Sequence, residues 1–157
     1  MLERGWSVVA IDAEEEAIRR VRRRVGPELV ARLRTNVSLM EDVEIPSADL
    51  VWASYSLFFC HPDRFPDLWA RIGIALREGG RFAGQVLGDR DTWASLPDRS
   101  AFTAREARSL FDDTYVVERF EEEEEDEEDD GESKHWHVFH VVARKAMTPP
   151  VAPSGTR

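Results

Sequence analysis

The chain has 157 residues, of which 42% are hydrophobic and 33% charged, a balance that fits one globular domain and excludes a wholly disordered chain. The formal net charge of −10 comes from residues 121–130, an unbroken run of ten acids, because the other 21 Asp and Glu residues balance 21 Lys and Arg residues. Since no basic excess remains, we expect no nucleic-acid partner.

The single cysteine, Cys60, excludes a disulfide framework. Neither a signal peptide nor a long apolar segment is visible, so we expect a cytoplasmic protein without a membrane partner. The sequence carries no signal of the oligomeric state.

The first predicted elements are a strand and the helix that follows it. Residues 1–4 are typical of the end of a helix, with Gly5 as its stop. Residues 7–11 form an apolar strand, and Asp12 begins a helix that runs to about residue 25. That helix has acids in its first turn and arginines in its last, as its dipole favours. A shorter helix is predicted over residues 28–34.

The middle of the chain continues the alternation of strands and helices. A short strand over residues 37–40 precedes Glu41 and Asp42, and another strand covers residues 49–54. After a loop over residues 55–62, apolar residues recur at helical spacing from Phe65 to Leu76.

Gly79 and Gly80 are predicted to end this helix. Residues 81–87 then form a strand, and residues 88–91 form the loop beyond it.

The last third predicts a short helix and a hairpin. Thr103 and Glu106 fit a capping box. Strands over residues 115–120 and 135–144 form an antiparallel pair. The acidic run falls in the connection, predicted as a solvated loop over residues 121–133 because ten like charges repel one another in a strand. A basic partner for this loop is the alternative.

These elements predict an α/β fold, a three-layer sandwich over residues 1–146 with a mostly parallel sheet and a C-terminal antiparallel hairpin. Residues 147–157 are predicted to be a disordered tail, because they are rich in Pro, Ser and Gly. Ligands of such sheets bind beyond the carboxyl ends of the strands. The polar strand ends are therefore the candidate site, and they lie at Asp12, Asp42, residues 54–61 and residues 88–91.

In this order the parts resemble class I S-adenosylmethionine-dependent methyltransferases over residues 1–145. The strand ending in Asp12 resembles the family's second strand, and residues 49–54 (DLVWAS) resemble its fourth. Residues 76–82 (LREGGRF) resemble the L-x-P-G-G lead-in to the fifth strand, with Glu78 in place of proline. Residues 135–145 resemble the reversed seventh strand. Within the family, the chain is most similar to small stand-alone bacterial-type methyltransferases, including the tellurite-resistance kind.

The resemblance also predicts a gap in the sheet. The family's first strand and its acidic-x-Gly-x-Gly turn come before the strand that ends in Asp12, and no such turn occurs among the 157 residues. The resemblance therefore implies a truncated domain, with its first strand missing. Its second and fourth strands lose the neighbour they share, and their backbone groups need other partners.

The resemblance implies S-adenosylmethionine as cofactor. Asp12 falls where the family acid holds the ribose hydroxyls, and Asp42 falls where a side chain often meets the adenine amino group. Glu41 is an equal candidate for the adenine contact, and Ala13 and Ser54 complete the expected cofactor-binding set. Asp12 has an alternative role as the N-cap of the following helix, with Glu15 completing a capping box.

Tyr55 and His61 are the candidate catalytic residues, because either side chain can orient or deprotonate a small-molecule acceptor. The alternative is that the apolar loop around them simply packs under the next helix. Nothing in the sequence shows a base paired with the Cys60 thiol, so we expect no nucleophilic role. No metal is expected at His135, His137 and His140, because strand alternation places His140 on the opposite face.

The sequence thus favours a methyltransferase acting on a small molecule. The alternative is a non-catalytic remnant of the methyltransferase fold that serves as a binding or regulatory module.

Overall fold

The structure is a computed structural model, and it describes residues 1–129 and 132–147. The chain divides into two compact units, Met1–Glu44 and a second that begins at Ile45. The predicted domain boundary at residue 146 stays a prediction. Of the predicted tail over residues 147–157, only Met147 is described. Within the described ranges, no helix is both long enough and apolar enough to cross a membrane.

The first unit contains a parallel pair of strands. A 3₁₀ helix at Leu2–Arg4 ends at Gly5, whose φ of 88° confirms the predicted glycine stop. Strand β1 (Val8–Asp12), helix α1 (Glu15–Arg24), a 3₁₀ turn (Val30–Arg32) and strand β2 (Leu33–Val37) follow. In the β1–β2 pair, Val8 lies opposite Leu33 and Asp12 opposite Val37.

The predicted helix over residues 28–34 is wrong. Only the single 3₁₀ turn forms there, and β2 already begins at Leu33 instead of residue 37. Leu33 and Thr35 are instead half-buried while Arg34 and Asn36 are exposed, which is the two-residue alternation of a strand.

The second unit contains a five-stranded mixed sheet. Its strands are β3 (Ala48–Ala53), β4 (Leu76–Gly88), β5 (Ala101–Phe102), β6 (Tyr115–Asp129) and β7 (Glu132–Lys145). The order is β3-β4-β7-β6, with β5 paired to β4. Strands β3 and β5 run parallel to β4, whereas β7 runs antiparallel to both β4 and β6.

This topology confirms the predicted α/β class with parallel strands and a closing antiparallel hairpin. Within the described residues, β1 pairs only with β2, and β3 pairs only with β4.

Helix α2 (Phe65–Ala75) does not end at the glycine pair as predicted. The chain passes from Ala75 directly into β4, which includes Gly79 and Gly80. Gly79 has a φ of 76°, and the β3–β4 register shifts nearby, between Ala48 and Leu50. A Cβ atom at Gly80 would lie 2.9 Å from the carbonyl oxygen of Arg77. The glycines therefore permit an irregular start of the strand.

The core of the second unit is aromatic on the side covered by α2 and α3 (Ala104–Ser109). The Trp69 ring centroid lies 5.1 Å from those of Phe82 and Phe111, and the indole N–H of Trp69 donates to the Leu110 carbonyl at 3.0 Å. The predicted capping box is confirmed, since Glu106 N donates to Thr103 Oγ1 and Thr103 N donates to the Glu106 carboxylate. This box fixes the start of α3.

The predicted acidic loop over residues 121–133 is wrong for residues 121–129, which belong to β6, and for residues 132–133, which begin β7. Alternation along the strand sends successive acids to opposite faces, so the charge density on each face is halved. Strand β7 also supplies partners, because Trp136 Nε1 donates to Glu127 at 2.7 Å and His137 Nε2 lies 3.0 Å from Glu122. These contacts offset the expected repulsion. Residues 130–131, in the connection itself, lie outside the described ranges.

Gly88, the last residue of β4, packs against the buried ring of His137. His137 is fully buried, and a Cβ atom at Gly88 would lie 2.0 Å from its Nδ1. We expect Gly88→Ala to lower the free energy of unfolding by about 1–3 kcal/mol, because the ring has to move inside a packed core. Urea unfolding followed by circular dichroism measures the loss. Gly73→Ala is the control, since helix α2 favours alanine and only the Tyr115 hydroxyl lies near, at 3.2 Å. Equal stability of the two variants would contradict this packing.

Candidate functional site: an acidic strand end and an aromatic–acidic cavity

The first unit presents an acid at the carboxyl end of β1. Asp12 is exposed, and its Oδ1 accepts a hydrogen bond from Glu14 N at 2.8 Å. Its backbone carbonyl accepts from Ser38 N at 3.0 Å, which ties the end of β1 to the segment after β2. Oδ2 of Asp12 forms no hydrogen bond with another residue in the described part of the chain. This carboxylate is therefore held in place while one oxygen can still accept.

The alternative role of Asp12 as a helix N-cap is wrong. Helix α1 begins at Glu15, its N-cap is Glu14, and no side chain caps it. Glu15 pairs instead with Arg19 one turn later, at 2.9 Å. The bond from Glu14 N closes a local turn two residues long, which orients the carboxylate.

The other residues predicted for the cofactor in this unit lie near the same edge. Ala13 is exposed directly after β1, and Glu41 and Asp42 lie in a turn after β2, half-buried and exposed respectively. Asp42 N donates to the Leu39 carbonyl at 3.1 Å. Because β1 and β2 are parallel, their carboxyl ends share one edge of the pair. The two segments that carry the four predicted residues therefore both leave the strand pair at this edge.

In the second unit, Tyr55 follows the end of β3 in a strained conformation. Its φ is 47°, in the left-handed region that bulky side chains rarely adopt. Tyr55 N donates to Gln85 Oε1 at 3.0 Å, and Gln85 Nε2 lies 3.2 Å from His140 Nδ1. Strain of this kind costs on the order of 1–3 kcal/mol and persists where surrounding contacts hold it.

Tyr55 lines a cavity of about 530 Å³, which we call the aromatic–acidic cavity. Its aromatic lining residues are Tyr55, Phe58, Phe59, Trp93 and Trp136. Its acidic lining residues are Glu123, Glu125, Asp126 and Glu127, and Val138 completes the wall. Glu123, Glu125 and Glu127 alternate along one face of β6.

The other two residues predicted for this part of the chain do not line the cavity. Ser54 is exposed at the bend after β3. His61 is half-exposed, and its Nδ1 accepts from Asp63 N at 3.2 Å. Among the predicted catalytic residues, the structure therefore places only Tyr55 at this cavity. Cys60 is fully buried, with its sulfur 3.6 Å from the His61 carbonyl oxygen.

The acids of β6 affect the Tyr55 phenol. Burial raises its pKa first, and the charges of Glu123 and Glu125 raise it further. The hydroxyl group therefore stays protonated at neutral pH. In this state Tyr55 can donate a hydrogen bond.

A buried ion pair holds together the two segments that contribute Trp93 and Trp136 to the cavity wall. The Asp91 side chain is fully buried and pairs with Lys134. Its Oδ1 accepts from Trp93 N at 2.8 Å, and its Oδ2 accepts from His137 N at 3.0 Å. The ammonium group of Lys134 lies 4.0 Å from the ring centroid of Trp136 and 4.6 Å from that of Trp93. One carboxylate thus connects the segment carrying Trp93 to β7.

On the other face of the hairpin, Glu122, Glu124 and His137 form a cluster whose ligand atoms lie within 4.8 Å of one another. Arg90 already serves this cluster, with Nη2 2.6 Å from Glu122 Oε1 and a further bond to Glu124. Arg90, followed by His137, lowers the pKa of Glu122. Since Nδ1 of His137 accepts from Arg90 N at 3.1 Å, Nε2 is the nitrogen that donates to Glu122. A guanidinium group holds the position that a metal ion would need.

The comparison with protein families decides the assignment. A family model described as a methyltransferase domain matches residues 1–84, which is more than half of the chain. The chain belongs to this methyltransferase family. The match contains Asp12, the turn after β2, β3 and Tyr55, and it ends inside β4. No curated protein matches the chain in sequence.

Solved structures with this methyltransferase fold resemble the chain at low sequence identity. TehB from Haemophilus influenzae is 15% identical, with a TM-score of 0.71 over 90% of this chain and 50% of that one. An S-adenosylmethionine-dependent methyltransferase from Methanosarcina mazei is 17% identical, with a TM-score of 0.67 over 94% and 85%. The N-methyltransferase NodS from Bradyrhizobium japonicum, in complex with S-adenosylhomocysteine, is 12% identical, with a TM-score of 0.60 over 87% and 65%. The chain thus spans half the length of TehB, and these likenesses establish the class I fold.

The family implies S-adenosylmethionine as cofactor. The carboxylates of the first unit are hydrogen-bond acceptors, which suits the hydroxyl and amino groups in the nucleoside part of that molecule. The carboxylate of Asp12 has one oxygen available to accept from ribose hydroxyls. The acids of the turn after β2 can accept from an adenine amino group. The glycine turn that approaches the amino-acid part in this family does not occur within the 157 residues.

Sequence reasoning missed the cavity acids and the two tryptophans that line it. Glu123, Glu125 and Glu127 fall in the predicted loop, and Trp93 falls between the predicted elements. A signal was present in the sequence, because a Lys-His-Trp-His series at residues 134–137 precedes the apolar part of the last strand. Such donors suit an acidic partner strand.

The buried Asp91–Lys134 ion pair is expected to stabilise the fold. Asp91→Ala leaves Lys134 in a site where its side chain is only 15% exposed, and it removes acceptors from two backbone N–H groups. We expect a loss of about 3–5 kcal/mol in the free energy of unfolding, with a change in the near-ultraviolet circular dichroism of the tryptophans.

Asp98→Ala is the matched control, because it removes a carboxylate that is 62% exposed from an ion pair with Arg99. We expect it to cost less than about 1 kcal/mol. A loss in Asp91→Ala no larger than in Asp98→Ala would show that Asp91 does not position the tryptophan wall.

Proposed function

We propose that the chain is an S-adenosylmethionine-dependent methyltransferase that acts on a small-molecule acceptor in the cytoplasm. The observation that carries the proposal is the family match over residues 1–84, which contains an acid at the end of β1 that is fixed through one oxygen and open at the other. NodS, a structure of the same fold, is described as an N-methyltransferase and contains S-adenosylhomocysteine.

The residues of the first unit take the nucleoside part of the cofactor in this proposal. Asp12 accepts from the ribose hydroxyls, and Glu41 or Asp42 accepts from the adenine amino group. Ala13, exposed next to Asp12, leaves the approach to the ribose unobstructed by a long side chain. Ser54 is exposed at the end of β3 and stays a predicted cofactor-binding residue.

The bound cofactor would supply a methyl group on a positively charged sulfur, which is already activated for displacement. The protein then has to align the acceptor and exclude water. Tyr55 is the proposed orienting residue, because its hydroxyl group stays protonated and its backbone is fixed by Gln85. His61 does not line the cavity that contains Tyr55, so it is the proposed base only for an acceptor held outside that cavity, where half of its side chain is exposed.

The alternative function is a binding or regulatory module without catalysis. The two functions separate at cofactor binding, because the module does not require it. Isothermal titration calorimetry of the 157-residue chain with S-adenosylhomocysteine therefore decides between them. Heat from saturable binding supports the enzyme, whereas no heat at millimolar ligand from a sample folded by circular dichroism supports the module.

Asp12 allows a sharper test. We expect Asp12→Asn to weaken the binding of S-adenosylhomocysteine by about tenfold to a hundredfold, because a neutral amide replaces a charged acceptor of ribose hydrogen bonds. Glu3→Gln is the control, since it removes an exposed acid from the same unit without touching β1. Binding by Asp12→Asn at the strength of the control would remove Asp12 from the cofactor site.

A further inference from the structure

The aromatic–acidic cavity has a composition that selects for positive charge. Five of its ten lining residues are aromatic and four are acidic, and none of the ten is Lys, Arg or His. Its volume of about 530 Å³ suits a small organic molecule. It lies wholly within the second unit, beside the loop that follows β3.

The carboxylates of the cavity keep negative charge in the folded chain. Glu123 lies 2.6 Å from His140 Nε2, and Asp126 lies 2.7 Å from His135 Nδ1. The only hydrogen bond to the Glu127 carboxylate within the described ranges comes from the neutral indole N–H of Trp136, at 2.7 Å. Glu125 has no hydrogen bond or ion pair with any residue that the structure describes. Even if both histidines are protonated, two of the four acidic charges stay uncompensated.

The aromatic side chains of this wall already attract cations of the protein itself. The ammonium group of Lys134 lies over Trp136, and the guanidinium carbon of Arg99 lies 4.8 Å from the ring centroid of Phe59. Both cations are neutralised by acids that do not line the cavity, Lys134 by Asp91 and Arg99 by Asp98. They therefore leave the charges of Glu125 and Glu127 unbalanced.

We propose that the aromatic–acidic cavity binds a small organic cation, with an ammonium group held among the aromatic rings and the carboxylates of Glu125 and Glu127. Ring quadrupoles and unpaired carboxylates both attract such a group. A neutral ligand gains no charge interaction, and an anion is repelled. If the chain transfers methyl groups as proposed above, the ligand of this cavity is the methyl acceptor, and the acceptor is an amine. This identification of the acceptor rests on the proposed function.

The transfer requires the amine to lose one proton first. The ammonium form of the ligand gives that proton to a cavity carboxylate, for which Glu125 is available, and the carboxylate passes it to water. The nitrogen lone pair then forms a bond to the methyl carbon of the sulfonium donor. The carbon–sulfur bond breaks, and its electron pair stays on the sulfur.

Binding of the cation is tested without any cofactor. Trp93 and Trp136 line the cavity, so tryptophan fluorescence reports its occupancy. The probe is choline, and its control is 3,3-dimethylbutan-1-ol, which has the same shape with an uncharged carbon in place of nitrogen. We expect choline to bind at least about tenfold more tightly than the alcohol, with an affinity that falls as salt is added. Equal affinities, or no saturable signal from either compound, would overturn the proposal.

A pair of variants in one strand tests the position of the site. Glu125→Gln and Glu128→Gln each remove one charge from β6, but residue 128 lies on the opposite face, across from Ser133. We expect Glu125→Gln to weaken choline binding by about tenfold and Glu128→Gln to change it little. Circular dichroism verifies that both variants fold. An equal loss in the two variants would show a general attraction to the acidic strand and overturn the cavity as the site.

The choline experiment can fail or succeed independently of the S-adenosylhomocysteine titration that tests the methyltransferase proposal. A chain that binds choline but gives no heat with S-adenosylhomocysteine retains the cation site and loses the proposed function. A chain that gives heat with S-adenosylhomocysteine but does not bind choline retains the function and loses the amine as acceptor.

Discussion

The alternation of side chains across the β6–β7 ladder is the constraint on which the second unit depends. It sorts consecutive acids into two environments that lie on opposite faces of one hairpin. On one face, Arg90 and His137 bind Glu122, so charge is neutralised within the protein. On the other face, Glu125 and Glu127 stay without a cationic partner among the described residues and form the wall of a cavity. The same composition thus stabilises the fold on one side and lines a cavity on the other.

The family match covers one part of the chain, and the cavity acids lie in the other part. Residues 1–84 contain the acid that suits a cofactor and the loop that leads to Tyr55, which are the parts that members of a methyltransferase family have reason to share. The acids of the cavity, Trp93 and Trp136 come after residue 84. The general chemistry is therefore assigned by the first half of the chain, and the choice of acceptor is proposed from the second half.

Local signals in the sequence predicted local structure well. Gly5 as a stop and the Thr103–Glu106 capping box depend on residues at most three positions apart, and both are present. The edge that carries Asp12 was also predictable, because parallel strands bring their carboxyl ends together. The extent of β6 was not predictable in this way, since its acids are stabilised by Arg90 and β7, which are distant in sequence. The cavity was missed for the same reason, because the place of Trp93 depends on the bond between Asp91 and residues of β7.

The acidic strand has a further consequence for how this hairpin keeps its alignment. A slip of β6 by one residue would exchange its two faces, yet nearly every acid would be replaced by another acid. Charge alone therefore gives the segment little preference between neighbouring alignments. The alignment of β6 with β7 is instead fixed by residues near the start of β6. Phe120 packs on Phe139 with ring centroids 5.4 Å apart, and β6 shifts its register between Val117 and Arg119. An insertion or deletion of one glutamate would change the net charge by only one while changing which carboxylates line the cavity.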